Sequence, residues 1–138
     1  MKHMLIALLV FTIACTDDDN PDILSGKAFE MKAGESRMSD DGSLEVEFTN
    51  VVSDNRCPVD AFCIVAGFGV IQTVLKSPQT DPLNLELKIG DHIFKKSPFH
   101  ISIDTLGLHI TLMQLDPYPD FENTSPKPYA TWLSIERL

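Results

Sequence analysis

The chain has 138 residues and a formal net charge of −9. That length holds one domain plus extras. The negative balance argues against nucleic acid, whose phosphates need a basic patch, and against a polybasic membrane-binding surface.

Residues 1–14 read as a signal peptide. Lys2 supplies the positive start, and Met4 to Ala14 is an apolar stretch too short to span a bilayer as a stable helix. The stretch ends Thr12-Ile13-Ala14-Cys15. A small residue directly before a cysteine resembles the lipobox of bacterial lipoproteins, in which the cysteine becomes the first mature residue and carries lipid. Thr12 stands where that pattern has Leu. An ordinary signal peptide cut near Ala14 is the alternative. Losing Lys2 with the leader takes the charge from −9 to −10. The implied partner is the membrane, reached through acyl chains on Cys15, each buried methylene adding about 0.8 kcal/mol. The expected location is the cell envelope, anchored to the outer membrane. Residues 15–26 form the tether. Asp17, Asp18, Asp19 and Asp22 make it a solvated acidic run. An acidic run behind a lipid cysteine also resembles a surface-export signal of one group of Gram-negative bacteria.

From Lys27 to Leu138 the hydrophobic period is two, the mark of strands. Phe29 and Met31 alternate with charged neighbours. Turns follow at Ala33-Gly34-Glu35 and Ser39 to Gly42. Leu44, Val46 and Phe48 form one face of a half-buried strand. A break in alternation at Asn50-Val51-Val52 predicts a bulge. Ile64 to Leu75 is apolar on both parities, which predicts a central strand covered on both faces along part of its length. Gly67 and Gly69 would leave a notch on it for a packed Phe or Trp. After a loop at Ser77 to Pro82, Leu83, Leu85, Leu87 and Ile89 form another strand face, and Gly90-Asp91 a turn. Phe99, Ile101 and Ile103 then face Leu112, Ile110 and Leu108, a register that sets every inward residue against an inward one. Asp116 to Pro128 is a proline-rich loop, and Tyr129 to Ile135 the last strand. Seven to eight short strands without a convincing helix predict an all-β antiparallel sandwich, immunoglobulin-like, with a closed barrel as the alternative.

Three cysteines leave one over in an exported chain. With Cys15 lipidated, Cys57 and Cys63 remain as a pair that oxidising conditions outside the cytoplasm would join. So small a loop gains only about 2 kcal/mol from cross-linking, so the bridge shapes the loop more than it holds the domain. A zinc site lacks a second Cys or His pair nearby, and Cys-x-x-Cys is absent.

Asp54-Asn55-Arg56-Cys57-Pro58 followed by Cys63-Ile64-Val65-Ala66-Gly67 resembles a set of small bacterial secreted proteins and lipoproteins. Their pattern is Asp-Ser-Arg-Cys-Pro, a short gap, then Cys-Ile/Val-Trp-Ala-Gly. Leu112 to Pro119 and Tyr129 to Ile135 resemble that set's strand into Pro-Tyr-Pro and its closing strand. Asn55 stands in place of Ser, and Val65 in place of Trp. The resemblance implies export, the Cys57–Cys63 bridge and an all-β domain. It implies no reaction.

Arg56, between Asp54 and Asp60, could grip a carboxylate or phosphate, or be held by its own acids to stiffen the loop. Tyr118 and Phe121, among Asp116, Asp120 and Glu122, suit a protein or glycan contact, or cap the end of the sandwich. His100 and His109 point outward in the register above, diagonal to each other. With Asp104 they could share Zn²⁺ or Cu²⁺, or be solvated rings. No Gly-x-Ser-x-Gly elbow, His-Glu-x-x-His or phosphate loop is present, and no cofactor is implied. The expected function is a lipid-anchored, non-catalytic envelope module for a protein or glycan. The alternatives are a metal-binding protein using the two histidines and a secreted enzyme inhibitor presenting the Cys57–Cys63 loop, with Arg56 and Phe62 protruding.

Overall fold

The computed structural model describes residues 20–91, 99–122 and 128–138. Residues 1–19, which carry the expected signal peptide and Cys15, lie outside them. Eight strands follow in order: β1 (Phe29–Lys32), β2 (Ser36–Met38), β3 (Glu45–Asp54), β4 (Phe68–Ser77), β5 (Thr80–Gly90), β6 (Ser102–Thr105), β7 (Leu108–Asp116) and β8 (Ala130–Arg137). They form two antiparallel four-stranded sheets, β1-β8-β7-β6 and β2-β3-β4-β5, and no helix occurs among the described residues. The sandwich is as expected from the period of two. Its connectivity is simpler than the Greek key of an immunoglobulin domain, because every strand except β1 pairs with a neighbour in sequence, and β1 pairs with β8. The chain changes sheet only between β1 and β2 and between β5 and β6.

The alternating residues meet between the sheets. Phe29, Met31, Phe48, Ile71, Leu87, Ile110, Leu112, Leu133 and Ile135 are almost wholly buried. Each such side chain contributes about 1.5–3 kcal/mol by leaving water. Ile23 joins them at 0% exposure. Its segment is fixed at Gly26, whose N–H donates to Ile135 O, and at Asp22, whose Oδ1 accepts from Asp40 N. The packed domain therefore already includes Asn20 to Gly26, seven residues ahead of Lys27. Ile23 and Leu24, two adjacent apolar residues in a polar run, carry no period, so their packing depends on tertiary contact alone.

The predicted bulge is present: the β3–β4 register shifts between Phe48 and Asn50, and again between Val51 and Ser53. Three expectations are corrected. First, β4 starts at Phe68, and Ile64 to Gly67 lie in the loop before it. Within β4, Ile71, Thr73 and Leu75 are buried while Val70, Gln72 and Val74 are half-buried, so one face is covered and the other partly open. Second, the glycine notch holds no aromatic ring. A Cβ on Gly67 would lie 1.6 Å from Asn55 O, and one on Gly69 would lie 2.8 Å from Leu115 Cδ2 and 3.3 Å from Arg56 Nε. Third, Ile103 pairs with Ile110 and Thr105 with Leu108, a slip of two residues from the expected register. Leu106 and Gly107 make the turn with φ of 51° and 70°. Two consecutive positive φ values are what a two-residue primed hairpin turn requires. A slip of two keeps every side chain on its face, so alternation cannot detect it. Phe99 falls outside β6 and is half exposed, and β5 reaches back through Pro82 to Thr80.

Candidate functional site

β3 ends and β4, β7 and β8 turn at one end of the sandwich, where Asn55 to Gly67 cross between sheet strands. Asn55 N–H donates to Phe68 O at 2.9 Å, closing the neck of this loop. Cys57 and Cys63 are bridged, with Cα atoms 5.9 Å apart, within the ordinary span of a disulfide. Six residues of separation make a small ring, and its orientation is set by what lies beneath.

Arg56 turns inward and is 4% exposed. Gly69 makes this possible, since a side chain there would press on the guanidinium. Nε and Nη2 of Arg56 donate to the two carboxylate oxygens of Asp54, each at 2.7 Å. Nη1 donates to Leu115 O at 2.8 Å and Nη2 also to Pro117 O at 3.3 Å. The guanidinium stacks over the Tyr118 ring at 4.4 Å. A planar fork satisfies this geometry where a lysine would not. Asp54 also accepts from Tyr129 Oη at 3.4 Å.

Asp91 is the second buried acid, 9% exposed. Its Oδ2 accepts from Cys57 N at 2.6 Å and Gly67 N at 3.5 Å, so it grips both feet of the loop. Its own N–H donates to Gly67 O. Its Oδ1 accepts from the Tyr118 hydroxyl. Burial, then this hydrogen bond, pushes the Tyr118 hydroxyl above its usual range. The phenol therefore stays protonated and able to donate. Tyr129 is raised likewise, first by burial and then by the charge of Asp54.

The loop is fastened sideways as well. Val59 N–H donates to Pro119 O at 3.1 Å, and Phe121 N–H donates to Asp60 Oδ1 at 3.1 Å. Asp60 thus holds the neighbouring loop rather than Arg56. Above this base stand Phe62 at 91% exposure, Ile64 at 86% and Val65 at 73%, with Val59 and Phe121 also exposed. Single exposed apolar residues are ordinary, whereas here several fall within one short stretch of chain. No main-chain amide from Phe62 to Ala66 donates to another described residue. Beside the loop opens a hollow of about 490 Å³ lined by Asn55, Gly67, Phe68, Val70, Lys88 and Ile101.

Of the sequence candidates, Arg56 and Tyr118 meet in the base and Phe121 stands out beside the tip. Tyr118 closes the end of the sandwich, and Arg56 faces its own Asp54 instead of solvent. Phe62 protrudes and Arg56 does not. His109 lies opposite Asp104, with Nδ1 2.5 Å from its Oδ1. His100 bridges to Ile89, its Nδ1 3.0 Å from Leu112 O. His100 lies outside β6, four residues before Asp104, and the two imidazoles have different partners. They are not brought together, and no three His, Cys, Asp or Glu side chains converge on a metal-sized site among the described residues. Asp91 was missed because an acid after Gly reads as a turn. The apolar tip was missed as a tip because β-branched residues read as strand. Comparison with known proteins finds no matching family model, curated protein or solved structure.

Proposed function

We propose that this protein is a lipid-anchored, non-catalytic module of the cell envelope that binds another protein through its disulfide-stapled loop. The observation that carries the reading is the pairing of an exposed apolar tip, Phe62, Ile64 and Val65, with a buried polar base that fixes it. A tip left out of the core forgoes about 1.5–3 kcal/mol per large side chain, a cost recovered when a partner covers it. Aliphatic Ile64 and Val65 favour a protein over a glycan, because a sugar presents hydroxyls that need polar partners. Residues that reach into apolar pockets of a partner dominate protein interfaces. The leader, Cys15 and the acidic run support export and anchoring to the outer membrane.

Two measurements test this. Radiolabelled palmitate should enter the wild-type chain in cells and not the Cys15→Ser variant; labelling of both would refute the anchor. A photocrosslinking residue at Ile64 should give one discrete protein adduct in the envelope, absent when the same residue replaces Glu86 on the outer face of β5. No adduct at Ile64, or the same adducts at both positions, would refute the binding surface.

A further inference from the structure

We infer that the partner is an endopeptidase whose primary pocket takes a large apolar side chain, and that the stapled loop blocks its cleft with Phe62 in that pocket. The inference rests on the protein-binding reading above and adds the class of partner and the residue that engages it.

The tip is one short run of exposed chain. One strand of chain, Phe62 to Ala66, leads, and its amides make no bond within the described protein. A peptidase cleft binds substrate by main-chain hydrogen bonds and by pockets for single side chains. Phe62, the most exposed large apolar residue of the described chain, offers both an accessible ring and accessible backbone. Phe121, also exposed, lies on a loop tied to the stapled one through Asp60 and Val59.

The chemistry favours blockage over consumption. The Phe62–Cys63 peptide bond lies inside the ring that the disulfide closes. Hydrolysis there would add one water, leaving a carboxylate on Phe62 and an amine on Cys63. Both new ends would stay joined through residues 57–62 and the sulfur bridge. Asp91 holds Cys57 N and Gly67 N, so neither end is free to leave. Confinement of the two ends raises their effective concentration and favours rejoining. A loop already ordered by Arg56, Asp91 and the bridge also loses little entropy on docking.

The surrounding charge weighs against other occupants. Asp60, Asp120 and Glu122 flank the tip. An anionic lipid surface would repel them. A second copy of the chain would set the same acids face to face.

The test is inhibition of α-chymotrypsin and subtilisin, both of which accept large apolar residues, by the purified full chain, with trypsin as the cation-selective control. The expected result is competitive, stoichiometric inhibition of at least one apolar-selective enzyme and none of trypsin. Phe62→Ala should weaken it at least about 30-fold, as removal of a central interface anchor does. Phe62→Arg should transfer inhibition to trypsin, a switch that a merely structural role would not produce, and circular dichroism should show both variants folded. No inhibition of either apolar-selective enzyme at about 10 μM, a threshold far above tight-binding affinities, would overturn the inference. So would rapid cleavage at several bonds, or folded Phe62 variants that inhibit as well as the wild type. If the Ile64 crosslink persists while inhibition is absent, only the peptidase assignment falls; if both are absent, the binding reading falls with it.

Discussion

Replacing Arg56 with Met tests whether the base holds the tip. The side chain would keep much of its volume and lose its charge and donors. Asp54 would then lose two hydrogen bonds of 2.7 Å. Its side chain is only 6% exposed, so water cannot readily replace them. Leu115 O and Pro117 O would lose donors as well. Breaking one side of a buried ion pair typically costs about 3–5 kcal/mol, because the remaining charge is stranded. Against a domain stability of about 5–15 kcal/mol this is a large fraction. With a urea slope of about 2 kcal/mol per molar, the midpoint should fall by roughly 1.5–2.5 M. The double variant Asp54→Asn, Arg56→Met removes the stranded charge and should recover more than half of the loss. Equilibrium urea unfolding followed by the fluorescence of Trp132 reads both. A single-variant shift below about 0.3 M, smaller than one ordinary hydrogen bond, would refute the claim that Arg56 organises this end.

Three further outcomes follow from the same contacts. Ile23→Ala should lower unfolding stability by about 2–5 kcal/mol, the range for buried aliphatic truncation, although the residue lies in a polar stretch; a change under 0.5 kcal/mol would place it outside the core. Gly67→Ala should cost about 1–3 kcal/mol or more, because the added methyl would meet the Asn55 carbonyl, which is backbone and cannot swing aside; thermal unfolding reads it, and a stability gain would refute the contact. Tyr118 has a folded pKa above the ordinary value of 10.0, chiefly through burial and then through Asp91. The folded state therefore keeps this proton longer than the unfolded chain does. Its contribution is complete below about pH 10 and is lost as pH rises beyond it. Urea midpoints between about pH 8 and 11 should fall less steeply in Tyr118→Phe, with Tyr129 leaving a residual slope; equal slopes would refute it.

The sheets were legible in the sequence because one face of each is covered and the period of two writes that directly into the residues. Phe29 and Met31, then Leu44, Val46 and Phe48, lie where alternation puts them. The same period concealed the β6–β7 register, since Ile103 stays inward whether it meets Leu108 or Ile110. A leucine at positive φ hid the turn that decides the matter. The site was half legible. The cysteine pair and the Asp54–Arg56 neighbourhood were plain from spacing. Asp91 was not, because it lies 34 residues from the Cys57 amide it binds, and no local pattern carries such a contact.

The error over Ile64 and Val65 points to how this end works. Apolarity predicts burial only when the chain is free to seek it. Here Cys63 is tied back to Cys57, and Gly67 is pinned by Asp91 and by the close approach of the Asn55 carbonyl. The intervening residues have too little slack to fold into the sheet. A ring this small stabilises the whole domain by only about 2 kcal/mol, so its main effect is on direction. It holds the run that contains Phe62, Ile64 and Val65 at the surface, where all three are exposed. Exposed apolar groups held by a bridge, two buried acids and an arginine differ from a loop that merely failed to pack, because the polar groups beneath them are mutually paired.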